Sequence, residues 1–320
     1  MAVRAIAAWL AVACALAASP AAAQSCNFSI SALNFGSINL AANTTFTSSA
    51  TFSASCNGTP NATVRLCPNI DAGSGGSTTG SPRFLVNGAT QLNFNLYQDG
   101  AYSAVWGSNL WGFAGSYPSP TIDVPLNSSG VGNVSQTIYG QIWSGQPTLP
   151  AGLYASSFSG SQASVAYAYS TSGTCAVIGN SLATNAPFTV SATNATICSV
   201  SAATLNFGTA GVLRANLDAT TSISVTCTNQ APYTVALDGG VSGATDPTQR
   251  KMTYGGASVT YGLYQDANHT MPWGNSAGVN TVAQTGTGLA QSFTVYGRVP
   301  PQNTPSPGTY SDTVVLTVSY

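Results

Sequence analysis

The chain contains one sequence unit twice. Cys26, Leu33, Asn34, Phe35 and Gly36 return with unchanged spacing as Cys198, Leu205, Asn206, Phe207 and Gly208. The run Leu96 to Asp99 returns as Leu263 to Asp266, each followed at the same distance by Trp-Gly, at Trp106-Gly107 and Trp273-Gly274. Tyr139-Gly140 then matches Tyr296-Gly297, and a Pro/Gly motif closes on Tyr154 and on Tyr310. Ordered self-similarity over so long a period means that one architecture is built twice along the chain.

Within each copy the side chains alternate with a period of two. Residues 222–227, 233–237, 293–299 and 313–320 place apolar positions between small or polar ones, the pattern of half-buried strands. Gly- and Pro-rich breaks separate them at 71–82, 238–240 and 300–307. Glu is absent and only six Arg and one Lys are present, so the charge-rich stretches of long surface helices are missing. The expectation is an all-β protein of two immunoglobulin-like β-sandwich domains in tandem, at 24–184 and 185–320.

Residues 1–23 read as a signal peptide: Arg4, an apolar run from Ala5 to Ala18, and the small residues Ala21 to Ala23 before a mature start at Gln24. Export to an oxidising compartment makes disulfides the natural use of Cys26, Cys56, Cys67, Cys175, Cys198 and Cys227. Cys26 and Cys56 hold the places of Cys198 and Cys227, so the repeat pairs each couple within its own domain. Cys67 and Cys175 remain as a bridge private to domain one. Its loop of over a hundred residues corresponds to roughly 4 to 5 kcal/mol of chain entropy.

A net charge of −1 leaves no basic surface for nucleic acid. One His and no Glu leave little for acid–base catalysis or a metal cage, so no enzyme, no metal and no cofactor is expected. His269 follows Asp266 closely, but it aligns with Tyr102 and no nucleophile elbow accompanies it, so an exposed loop residue is expected. Asp99 and Asp266 read as turn formers.

The spacing from Cys198 to Leu205-Asn206-Phe207-Gly208, the run Tyr261 to Asp266, Trp273-Gly274, the segment from Val295 to Pro300 and the end at Tyr320 together resemble the spore coat U domain. That domain is used by subunits of archaic, Csu-type chaperone–usher pili, and a chain with two copies resembles their tip adhesin. The resemblance covers the second copy almost entirely and the first more loosely. It implies that the C-terminal domain lacks its last strand, which a periplasmic pilus chaperone and then the N-terminal strand of an adjacent pilin subunit would supply at an outer-membrane usher. Val314, Leu316, Val318 and Tyr320 are then the strand-acceptor edge. With Cys26 two residues after Gln24, the mature chain has no donor extension of its own, which fits the pilus tip at the cell surface. Domain one must instead be closed by its own chain, through Ala176 to Ile178 or Phe188 to Ala192; the first is preferred as part of the closing strand, the second as the domain junction.

Domain one has additional aromatics where domain two has none. Leu110, Trp111, Phe113 and Tyr117, with Val131 nearby, are the candidate surface-binding residues. An apolar patch of this kind fits adhesion to hydrophobic abiotic or host surfaces, and hence biofilm formation. A carbohydrate-binding lectin-type adhesin and a structural coat protein are the alternatives. The first is disfavoured because only Asp99 and Asn109 lie close by to hydrogen-bond sugar hydroxyls.

Overall fold

The computed structural model describes residues 24–78, 82–110, 117–178 and 182–320. Residues 1–23, on which the signal-peptide expectation falls, and Trp111 and Phe113 lie outside the described residues. Domain one holds β1 (Ser25–Ile30), β2 (Leu33–Ile38), β3 (Phe46–Asn57), β4 (Thr63–Ile70), β5 (Arg83–Asn87) and β6 (Thr90–Tyr97). It continues with β7 (Ile122–Pro125), β8 (Val131–Ile142), β9 (Gly152–Phe158), β10 (Ala163–Ala168), β11 (Ala183–Asn185) and β12 (Phe188–Asn194). Domain two holds β13 (Cys198–Ala202), β14 (Leu217–Cys227), β15 (Pro232–Leu237), β16 (Arg250–Tyr254), β17 (Ala257–Tyr264), β18 (Val282–Thr285), β19 (Ala290–Val299) and β20 (Leu316–Ser319). Among the described residues no helix is long and apolar enough to cross a membrane.

The period-two pattern does what it predicts. Along β3, Ala50, Phe52, Ala54 and Cys56 are buried while the Ser and Thr between them face outward. Each domain has its own buried cluster, so the chain is two immunoglobulin-like sandwiches with separate cores.

In domain one a sheet of order β1-β3-β8-β6-β5-β9-β12-β2 packs on one of order β11-β10-β4-β7. Domain two repeats the first five strands as β13-β14-β19-β17-β16 and the second sheet as β18-β15-β20. The partners corresponding to β11 and β12 are absent among its described residues. Of the strands of domain one, β2, β9, β11 and β12 have no strand counterpart in domain two; β11 plus β12 form the strand that in domain one runs across both sheets.

That strand corrects two expectations. Ala176 and Ile178 lie not in the closing strand but in a helical turn, Cys175–Ile178, that carries one half of a disulfide. Phe188–Asn194 closes domain one, so the junction falls at 195–197 rather than between 184 and 185. Thr228 holds these linking residues, donating from Oγ1 to Ala195 O at 2.9 Å and accepting from Ile197 N at 3.1 Å.

Three disulfides pair Cys26 with Cys56, Cys67 with Cys175, and Cys198 with Cys227. The first and third join residues directly opposite each other on neighbouring antiparallel strands. The second closes a separation of 108 residues and ties β4 to the helical turn.

Both cores enclose an arginine. Arg83 is fully buried, donating from Nε to Asp71 O at 2.7 Å and from Nη2 to Ile70 O and Trp106 O at 2.6 and 2.7 Å. Arg250 repeats this on Asp238 O, Leu237 O and Trp273 O at 2.8, 3.1 and 2.8 Å. The two indoles answer in kind, Trp106 Nε1 donating to Pro68 O and Trp273 Nε1 to Val235 O. Burial pushes the Arg83 guanidinium down to about 9, so it remains a cation at neutral pH and stabilises the fold through the carbonyls it satisfies. Replacing Arg83 by Met keeps most of the apolar stem but leaves three buried carbonyls without their donor, at roughly 1 to 3 kcal/mol each. The urea midpoint of the full chain is expected to fall accordingly, by at least about 3 kcal/mol of stability.

Candidate functional site

Where domain one has β12, domain two has a groove. One wall is the segment 205–210, the counterpart of β2, and the other is 308–314, the counterpart of β9. The two halves of the groove, about 700 and 550 Å³, share Leu205, Asn206, Phe207, Met252 and Tyr310 in their linings. The residues that β12 buries in domain one are left half-exposed here. Leu33, Tyr154 and Phe158 are each fully covered, whereas Leu205, Tyr310 and Val314 are not. Neither wall forms a regular strand; the backbone of 308–314 pairs with its neighbour through an isolated bridge between Ser311 and Thr253. An apolar trough flanked by unpaired backbone is the local form of a strand-binding site.

The expected acceptor residues divide. Val314, Leu316 and Val318 alternate inward and pack half-buried on the core of domain two, and Val314 and Leu316 line the groove. Through β20, Leu316 and Val318 pair with β15, leaving the other edge of β20 unpaired. Tyr320 lies beyond the strand, 60% exposed and outside the groove lining.

In domain one the residues on either side of 111–116 are drawn tightly together. Ser108 N donates to Tyr117 O at 3.0 Å, Asn109 N to Asn69 Oδ1 at 2.8 Å, and Asn109 Nδ2 to Ser119 Oγ at 2.8 Å. A Cβ at Gly107 would lie 1.8 Å from Tyr117 O, so only glycine lets the two limbs close. Leu110 emerges 41% exposed and Tyr117 is half-buried. Trp106 is wholly buried framework.

Val131 does not join this group. It opens β8 opposite Asn57, beside the turn where Gly58 N donates to Gly130 O. Leu110 instead follows Gly107, whose carbonyl accepts from Ile70 N at the other end of β4. At about 3.3 Å per residue the eight residues of β4 keep these points on the order of 20 Å apart. Closeness in sequence numbering misled here, because β7 and the turn after it carry the chain the length of the sheet.

The Spore Coat Protein U domain profile matches residues 12–160 and 184–317. The chain belongs to this family. "Protein U" of Myxococcus xanthus is 37% identical over 130 residues, spanning 37% of this chain and 72% of that protein. Among solved structures, a chain of the CsuC–CsuE chaperone–tip adhesion subunit pre-assembly complex, from archaic chaperone-usher Csu pili of Acinetobacter baumannii, aligns with a TM-score of 0.55 at 17% identity. The alignment covers 92% of this chain and all of that one. The CupB6 tip adhesin of Pseudomonas aeruginosa aligns with a TM-score of 0.36 at 14% identity, over 92% and 93% of the two chains. Spore coat U membership makes the chain a structural protein and not an enzyme.

The environment of His269 differs from the expected one. The expected exposed loop histidine is buried: its side chain is 5% accessible and packs edge-on against Tyr264 and Tyr296, at centroid distances of 5.1 and 6.3 Å. Tyr102 occupies the same place in the first spore coat U domain, against Tyr97 and Tyr139, and both residues have positive φ. Burial comes from Tyr264 at the end of β17, just before the turn, and from Tyr296 on β19, which is remote in sequence. Neither ring nitrogen makes a hydrogen bond. Asp266 caps its own turn through Thr270 N and Met271 N, as Asp99 does through Ala101 N and Ala104 N.

Beside His269, Asp218 Oδ1 lies 3.8 Å from Nε2 and the carboxylate receives two 2.7 Å hydrogen bonds from Arg298. Those bonds, then the charge of Arg298, hold the Asp218 carboxyl below the usual carboxylate range. A depressed carboxylate stabilises the fold above its unfolded pKa and loses that stabilisation as pH falls through the folded value. Melting temperature is therefore expected to drop on acidification below the ordinary carboxylate range. Asp218→Asn should flatten part of that drop, by no more than about 1 kcal/mol for so exposed a pair. Thermal melts of both proteins across an acid pH series check the sign.

Proposed function

We propose that this protein is the tip adhesin of a chaperone–usher pilus, joined to the fibre through the groove of domain two and meeting surfaces through domain one. The observation that carries the reading is internal to the chain: one sandwich is closed by its own strand and the other is open in the same place. The open groove calls for a strand from another polypeptide, first a periplasmic chaperone and then the N-terminal segment of an adjacent subunit at the usher. Spore coat U membership and the likeness in fold to a chaperone–tip adhesion subunit complex support this assignment. The route is export by the signal peptide to the periplasm and display at the cell surface.

The adhesive part in this reading is the segment between Leu110 and Tyr117. Trp111 and Phe113 are its proposed contact residues. Covering one such aromatic contributes roughly 1.5 to 3 kcal/mol by release of water. Many pili engaged together multiply the effect. Biofilm formation on hydrophobic material is the expected outcome.

Two experiments test the two halves. Co-expressed with its periplasmic pilus chaperone, the intact chain is expected to co-purify with it, and Val314→Asp with Leu316→Asp to abolish the complex; a stable, monomeric domain two without any partner would overturn the reading. On piliated cells, Trp111→Ser with Phe113→Ser is expected to leave pilus number unchanged and strongly reduce attachment to hydrophobic plastic. Inhibition of attachment by a soluble glycan would favour the lectin alternative.

A further inference from the structure

Little of the chain between the two sandwiches is free to move. We infer that domains one and two form one rigid body, because the corner 227–229 of domain two is held from two directions, by the linking residues 195–197 and by the connection 147–150 of domain one.

Domains joined by a short stretch of chain move relative to each other unless something further holds them. Here the linker itself is bonded at both ends. Ala195 N donates to Ile38 O at 3.0 Å, while the Ala195 carbonyl accepts from Thr228 Oγ1 at 2.9 Å. Ile197 N donates to that same hydroxyl oxygen at 3.1 Å, and Ile197 O accepts from Thr228 N at 3.0 Å. These are groups that a loose linker leaves to water. Thr228 is fully buried, so a swing of domain two would strip a buried hydroxyl and its partners of their hydrogen bonds.

The second attachment comes from the connection between β8 and β9. Asn229 Nδ2 donates to Thr148 O at 2.5 Å, and Asn229 and Pro150 form a parallel bridge. Gly288, whose amide donates to Cys227 O at 3.0 Å, lies against Pro147: a Cβ there would come within 1.9 Å of the Pro147 carbonyl oxygen. The connection is stiff enough to serve as a stop. Prolines at 147 and 150 each fix φ, and Leu149 packs on the core of domain one. Pro150 O accepts from the Tyr154 hydroxyl at 2.9 Å and from Asn194 Nδ2 at 3.0 Å. Asn194 is buried and is the last residue of β12, so it ties the connection to the strand that becomes the linker. A single connection acts as a hinge, and a stiff second one beside it blocks the swing.

The test is small-angle X-ray scattering from the full, disulfide-bonded chain, in its complex with the chaperone where that is the form isolated. The profile of the native sequence is expected to fit one fixed arrangement of the two domains. Thr228→Val with Asn229→Ala removes the hydrogen bonds of both attachments and nearly keeps their shape. This variant is expected to show a broader distance distribution and a larger maximum dimension, with the melting of domain one unchanged. The chaperone, where present, is common to both samples, so the difference reports the position of domain one. A native profile that requires an ensemble of domain orientations, or a variant profile identical to the native one, would overturn the inference. If the variant does not fold, the native profile decides alone: one arrangement upholds the rigid body and an ensemble overturns it.

Discussion

Each sandwich is organised around a guanidinium withdrawn from water. An arginine placed there costs desolvation that only a full set of acceptors offsets, and the acceptors are backbone carbonyls from the segment after β4 or β15 and from the buried Trp-Gly corner. One side chain thus ties the second sheet, the corner and the start of β5 or β16 at a single point. The strands β5 and β16 stand next to the groove wall in their respective domains, so the mouth of the groove inherits its position from this buried tie. The indoles of Trp106 and Trp273, bound to the carbonyls of Pro68 and Val235, lock the same corner from its other side.

Much of this was legible in the sequence, because the repeat exposes paired positions that physics must treat alike. Disulfide pairing, strand alternation and the framework role of Trp106 and Trp273 follow from it. The arginine tie was also readable: Arg83 and Arg250 each stand 23 residues before their Trp, and basic residues are rare in this chain. Taken singly, an arginine directly after a Gly- and Pro-rich break reads as a solvated surface residue, and only the repeat marks it as framework.

What failed to read were contacts made at long range. Ala176 to Ile178 is too short a run for periodicity to separate a helical turn from a strand. The burial of His269 is completed by Tyr296 of β19, which its flanking loop does not predict. Val131 and Tyr117 are separated by little sequence, yet a strand and its return turn lie between them. The groove itself was anticipated as a missing strand, but its walls required knowing that β12 passes between β9 and β2.

The route of the chain out of domain one has a mechanical consequence. Strand β12 runs straight into residues 195–197 and then into β13, whose first residue is bonded to Cys227. A pull on domain two is therefore applied along β12, which is hydrogen-bonded on both flanks, to β9 and to β2. Load in that direction shears many hydrogen bonds at once instead of peeling them one by one, and the disulfide passes the force on to β14 at the second domain's first strand pair. The element that fills the groove of domain one is thus also its tether, and the fold resists extension along the axis in which a surface-anchored molecule would be stretched.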